Sequence, residues 1–302
     1  MITRLNHYLN SVKDNLRLDP SSEKEIIDEL KTHVEDRFQE MKDAGLSDDE
    51  AAEECIGLLG SARLVARQVY EAHSQGTWRQ ALLASMPHLF FASLFALKWY
   101  SIGWLPALLG AIFVIAIYGW CHGKPAWLFP WLGYSLLPVV AAGLFLLYLP
   151  KGWAWVTILL YVPLVLWLLC YITIKSIKRD WLYSALTLLP VPNIIGWFLA
   201  VEQGGFSGFS FERLHNFAPW MGLSFLVLAV AVATFIRLRK RWLKVAVLFI
   251  SGLLSLIMVA CYAEGRLGLP TFLVLILVLS ALFLTPALLE RKIRYSGQRP
   301  TA

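Results

Sequence analysis

Hydrophobic positions follow two regimes along the chain. Up to about residue 76 they recur at three- and four-residue steps among charged residues; beyond that they fuse into long apolar blocks. In the first regime Ile2, Leu5, Tyr8, Leu9, Val12 and Leu16 make one stripe of a first helix, closed by Asp19-Pro20. Ser22 with Glu25 reads as a capping box for a second helix whose stripe is Ile26, Ile27, Leu30, Val34, Phe38 and Met41, stopped at Gly45. Ser47 with Glu50 caps a third helix, and Asp48 and Asp49 in its first turn favour the positive end of the helix dipole. Gly60 ends that helix and Ser61 caps a fourth, with Leu64, Val65 and Val69 as its expected buried face.

In the second regime eight apolar blocks approach the roughly 20 residues that a bilayer-crossing helix needs. They fall near 80–97, 103–121, 127–149, 152–174, 182–201, 217–236, 243–262 and 269–289. The expected fold is all-α: an N-terminal helical module (1–76), an eight-span transmembrane bundle (77–290) and a short basic tail (291–302). Trp78, Trp127, Trp181 and Trp242 open the odd-numbered blocks, and Ser135-Leu-Leu-Pro138 echoes Thr187-Leu-Leu-Pro190. These echoes read either as four helical hairpins or as the usual placing of Trp at membrane interfaces and Pro within spans.

Composition and charge sharpen this picture. The chain is 58% hydrophobic, with 13 Trp and 16% charged residues, which places it among integral membrane proteins. Residues 1–76 hold 16 Asp/Glu against 9 Lys/Arg, a net charge of −7, while the remainder nets +13. The basic balance therefore belongs to membrane loops and gives no argument for direct nucleic-acid binding. With the N-terminus inside, thirteen Lys/Arg fall in cytoplasmic connections and tail against four (Lys98, Lys151, Arg213, Arg266) outside, so both termini are expected in the cytoplasm of an inner-membrane protein. No secretory leader is expected from the amphipathic start MITRLNHYLN. Cys55, Cys121, Cys170 and Cys261 are scattered without a C-x-x-C pair, which argues for neither disulfides nor zinc.

The run Glu29-Leu30-Lys31-Thr32-His33-Val34-Glu35-Asp36, the Ala44-Gly45-Leu46-Ser47 turn, the Glu50-Ala51-Ala52 start and the Leu58-Leu59-Gly60-Ser61 break resemble the permease prefix or HAAS domain, a helix-turn-helix-associated α-helical signalling domain. Ala62 stands where that family usually has proline. The resemblance covers the N-terminal module, and it implies a signalling role and a cytoplasmic partner of the PadR-like regulator class.

Candidate chemistry is sparse. On the second helix Glu29, His33, Asp36, Arg37 and Glu40 form a charged face that is either solvated surface or a partner-docking face, since charge complementarity sets partner choice. One local nitrogen donor does not make a zinc site, and no cofactor motif is present. No Asp, Glu, Lys or Arg lies near the middle of a block, which disfavours ion-coupled transport. At depth stand His88 beside Pro87 and Asn193 after Pro190 and Pro192, each expected to bond a carbonyl freed by proline or to contact a ligand. Outside, Glu202, Glu212, Arg213 and His215 flank Gly204–Phe211, with Glu264 and Arg266 in the next loop: either an interfacial loop with ion pairs or a lid over a pocket. Phosphate-loop, zincin and nucleophile-elbow motifs are lacking, so no enzyme is expected. The leading expectation is a membrane sensor of a small lipophilic compound or of the envelope state that signals through its module, with Glu71–Arg79 as the coupling segment; the alternatives are a permease component with a regulatory prefix and a purely structural role.

Overall fold

A computed structural model of the chain describes residues 3–16, 18, 20–99, 104–123, 125–135, 159, 163, 167, 171–172, 174, 180–201, 211–262 and 268–297. Every extended element among them is a helix, and they group into two units, residues 1–75 with 239–241 and residues 76–238 with 242–302.

The first unit holds α1 (Thr3–Asn15), α2 (Pro20–Asp43), α3 (Asp48–Leu59) and α4 (Ala62–His73). Leu5, Leu9, Val34, Ala52 and Cys55 form one part of its core, and Tyr8, Val12, Leu16, Leu18, Ala66 and Tyr70 the other. Tyr8 spans the core and donates from its hydroxyl to Gly60 O at 3.0 Å, and burial raises its pKa. The Ser47–Glu50 box forms in both directions, and Ser61 Oγ accepts from Leu64 N. Two expectations are corrected. Proline at residue 20 opens α2, as its missing N–H allows in a first turn, so Ser22 lies within the helix rather than before it. Leu64 is 50% exposed, because Ala66 and Tyr70 carry the buried face of α4. Arg239 belongs to this unit: its carbonyl accepts from Ser74 Oγ at 3.0 Å and its Nε donates to Gln75 Oε1 at 2.8 Å.

The second unit comprises α5 (Trp78–Ala96), α6 (Trp104–Cys121), α7 (Leu128–Ser135), α8 (Trp181–Leu188), α9 (Pro190–Val201), α10 (Phe211–Arg237), α11 (Arg241–Tyr262) and α12 (Leu269–Gly297). Among the described residues four stretches are long and apolar enough to cross a bilayer: Trp181–Val201, Glu212–Arg237, Arg241–Tyr262 and Leu269–Leu289. Large apolar side chains such as Val230, Ile250, Leu277 and Leu284 point outward from the last three, as hydrocarbon rather than water permits. α5 and α10 pack closely, small residues letting the backbones approach: a Cβ on Gly222 would sit 3.0 Å from Ala92 O and 3.2 Å from Ala96 N. α7 meets α8 more closely still, since a Cβ on Gly133 would collide with the carbonyl oxygen of Thr187.

A buried polar cluster as the candidate functional site

Proline shapes the first half of the site. Pro87 sits inside α5 and has no N–H to give Leu83 O, four residues earlier. Trp131 of α7 supplies the missing donor, its Nε1 lying 2.8 Å from that oxygen. His88 was expected to bond such a freed carbonyl or to contact a ligand; it is fully buried, and neither ring nitrogen has a hydrogen-bond partner among the described residues. Its ring stands edge-on to Tyr134, with centroids 5.0 Å apart and planes at 87°. Tyr134 in turn stacks on Phe91 at 4.6 Å and leans on Phe225 at 6.2 Å, while its hydroxyl also has no partner among the described residues.

The second half lies beside Phe225. Ser224 donates to Met221 O at 2.8 Å and accepts from Asn193 Nδ2 at 3.1 Å and Trp197 Nε1 at 2.9 Å, so its hydroxyl is fully used. Asn193 therefore bonds a side chain rather than a carbonyl released by Pro190 or Pro192, and its Oδ1 has no partner among the described residues. Ser184 of α8 is buried, its Oγ likewise without a partner among the described residues, one turn before Thr187, which returns its hydroxyl to Tyr183 O. Among the described residues, His88, Tyr134, Ser184 and Asn193 thus hold five buried polar atoms without partners, on four different helices. Most buried polar groups in proteins are paired, and each unpaired one costs about 1–3 kcal/mol. His88 and Tyr134 stand among the rings of Phe91 and Phe225, and Asn193 shares the Ser224 hydroxyl with Trp197.

Charge is buried elsewhere. Asp180, 1% exposed, caps α8 by accepting from Leu182 N at 3.1 Å. Lys244, 2% exposed, lies over the Phe235 ring at 5.2 Å. In the sequence Lys244 reads as a loop cation, yet it is one turn inside α11.

The other sequence candidates fall in separate places. On α2, Glu29, His33, Asp36, Arg37 and Glu40 are all exposed, with His33 3.9 Å from Glu29 and Arg37 3.1 Å from Glu40. Arg213 donates to Val201 O at 3.3 Å, and His215 Nε2 contacts Nζ of Lys98, a residue the sequence reading had not joined to this set. Glu202, Glu264 and Arg266 lie outside the described residues. No group of three or more His, Cys, Asp or Glu among the described residues could hold a metal. Cys55 is buried, which pushes its thiol pKa up, while Cys121 and Cys261 are exposed.

Comparison of the chain with family models, curated proteins and solved structures finds no match.

Proposed function

We propose that this is a multi-pass inner-membrane signalling protein that senses a small, neutral, lipophilic compound and reports it to a cytoplasmic partner through its N-terminal helical module. The single observation that carries the reading is the set of unpartnered atoms on His88, Tyr134, Ser184 and Asn193, enclosed by apolar helices. A hydrogen-bonding guest satisfies them, whereas a purely structural core gains nothing from leaving them unmet. Eight spans complete the bundle: α5 and α6 are the first two, α7 opens the third, and the block at 152–174 lies almost wholly outside the described residues. Both termini face the cytoplasm, by the excess of basic residues on that side. The module, resembling the HAAS or permease prefix domain, presents the α2 face of Glu29, His33, Asp36, Arg37 and Glu40 to a PadR-like regulator.

The test uses full-length protein purified from native membranes, beside His88→Phe and a triple charge reversal at Glu29, Asp36 and Glu40. Mass spectrometry of the purified protein should find a neutral lipophile lost in His88→Phe, and a DNA-binding regulator should co-purify only without the charge reversal. Absence of both, together with solute flux in proteoliposomes, would transfer the assignment to a permease component.

A further inference from the structure

The start of α5 is held by the end of α10 through a close contact at a glycine. Gly76 N donates to Ile236 O at 2.9 Å, and Arg237 Nη1 donates back to Gly76 O at 2.9 Å. Both polar groups of one peptide segment are therefore committed to the last turn of α10. A Cβ at residue 76 would lie 2.5 Å from Ile236 Cγ2 and 2.8 Å from Gln80 Oε1, so a side chain there requires the Ile236 and Gln80 side chains to shift from the positions that frame this contact. The Arg237 guanidinium also covers the Trp78 ring at 4.5 Å, and a Thr77–Gln80 capping box fixes the first turn of α5 directly after the glycine.

The same helix reaches the buried cluster. Ser224, which gathers Asn193, Trp197 and Met221, and Phe225, which touches Tyr134 and Phe91, lie on α10, about 20 Å up its axis from Arg237 at 1.5 Å per residue. Between them Leu228, Val232 and Phe235 of α10 are buried in the core, and just beyond Ser224 the helix packs closely on α5 where Gly222 meets Ala92 and Ala96, so the helix is held along this length by close-packed contacts. We infer that α10 is the relay of this protein: rearrangement at Ser224 and Phe225 is delivered to Gly76, where the grip of Ile236 and Arg237 tightens or releases. This rests on the sensing reading for its purpose, and it gives the regulation of that site a moving part other than the linker itself. Both contacts lie on one continuous helix, Phe211–Arg237, which gives the proposed coupling a single physical element to act through.

The experiment is hydrogen exchange by mass spectrometry on the full chain in lipid nanodiscs, reading the segment around Gly76–Trp78. Gly76→Ala and Arg237→Gln should each accelerate its exchange roughly fivefold or more, the effect of losing about one hydrogen bond. Ser224→Ala, remote from that segment, should accelerate it in the same direction, and Val230→Ala on the exposed face of α10 should not. Should Ser224→Ala fail to fold, Tyr134→Phe serves instead and should slow the exchange by relaxing the cluster. Wild-type exchange in both Ser224→Ala and Tyr134→Phe overturns the relay. No ligand enters this measurement, so a relay that works beside a failed search for a bound lipophile would refute sensing alone.

Discussion

Replacing Tyr134 by phenylalanine isolates the central claim about the buried cluster. The tyrosine is fully buried, its ring contacts run to His88, Phe91 and Phe225, and its hydroxyl bonds to nothing among the described residues. Phenylalanine keeps each ring contact, including the edge-on pair with His88 worth about 0.5–1.5 kcal/mol, and deletes only the hydroxyl. A buried polar group without a partner costs about 1–3 kcal/mol, so Tyr134→Phe should stabilise the protein by that amount. At about 2–4 °C per kcal/mol for a protein of this size class, the midpoint of thermal unfolding should rise by several degrees. The assay is thermal unfolding in detergent after exhaustive exchange to strip bound lipophiles, with Tyr134→Ala as the control that loses about 3–5 kcal/mol of aromatic packing. A lower midpoint for Tyr134→Phe would refute the reasoning, because it would mean that the hydroxyl is bonded and the cluster has no unmet demand.

Other outcomes follow from single contacts. Gly133→Ala drives a methyl group into the Thr187 carbonyl, a backbone atom that cannot swing away, and should cost about 3 kcal/mol or leave the protein unfolded in the same thermal assay. Trp131→Phe strands Leu83 O and should cost about 1–3 kcal/mol, much less in a Pro87→Ala background where residue 87 regains the N–H that α5 lacks; a double-mutant cycle measures the difference. Glu50 accepts from the Ser47 hydroxyl and backbone N–H, which lowers its pKa below the ordinary glutamate value. Its contribution is thus complete above that ordinary value and disappears as pH falls through the depressed one, so Glu50→Gln should flatten the acid limb of the first unit's unfolding, followed by circular dichroism.

Local chemistry made much of the first unit readable in advance. Ser47, Glu50, Gly60 and Ser61 announce helix ends because capping depends on residues within one turn, and Gly45 takes the left-handed φ of +99° that its place after α2 required. Leu64 was misplaced for a geometric reason: it and Ala66 are two residues apart, about 200° around a helix, so they cannot share a buried face. In the second unit His88 and Asn193 stand out as polar residues in apolar runs. Tyr134, Ser184 and Ser224 do not, since hydroxyls are ordinary in such helices. Pro87 foretells an orphaned carbonyl at Leu83, yet nothing local says that the donor comes from Trp131, 48 residues away. The burial of Lys244 escaped notice for the same reason, because which side of a helix end faces its neighbours is decided by packing alone.

The order of synthesis gives the grip on Gly76 another meaning. Helices α1 to α4 are complete once residue 73 has left the ribosome, but Arg237 is made 161 residues after the glycine that it holds. At about 5–20 residues per second, the segment after α4 waits roughly 8–30 s for its partner. During that interval helices α1 to α4 are already made while Gly76 has neither of its partners, and only the synthesis of α10 supplies Ile236 and Arg237. A chain truncated before residue 236 would therefore leave both polar groups of Gly76 unmet, and protection of that peptide is a mark that the chain has been made as far as the end of α10.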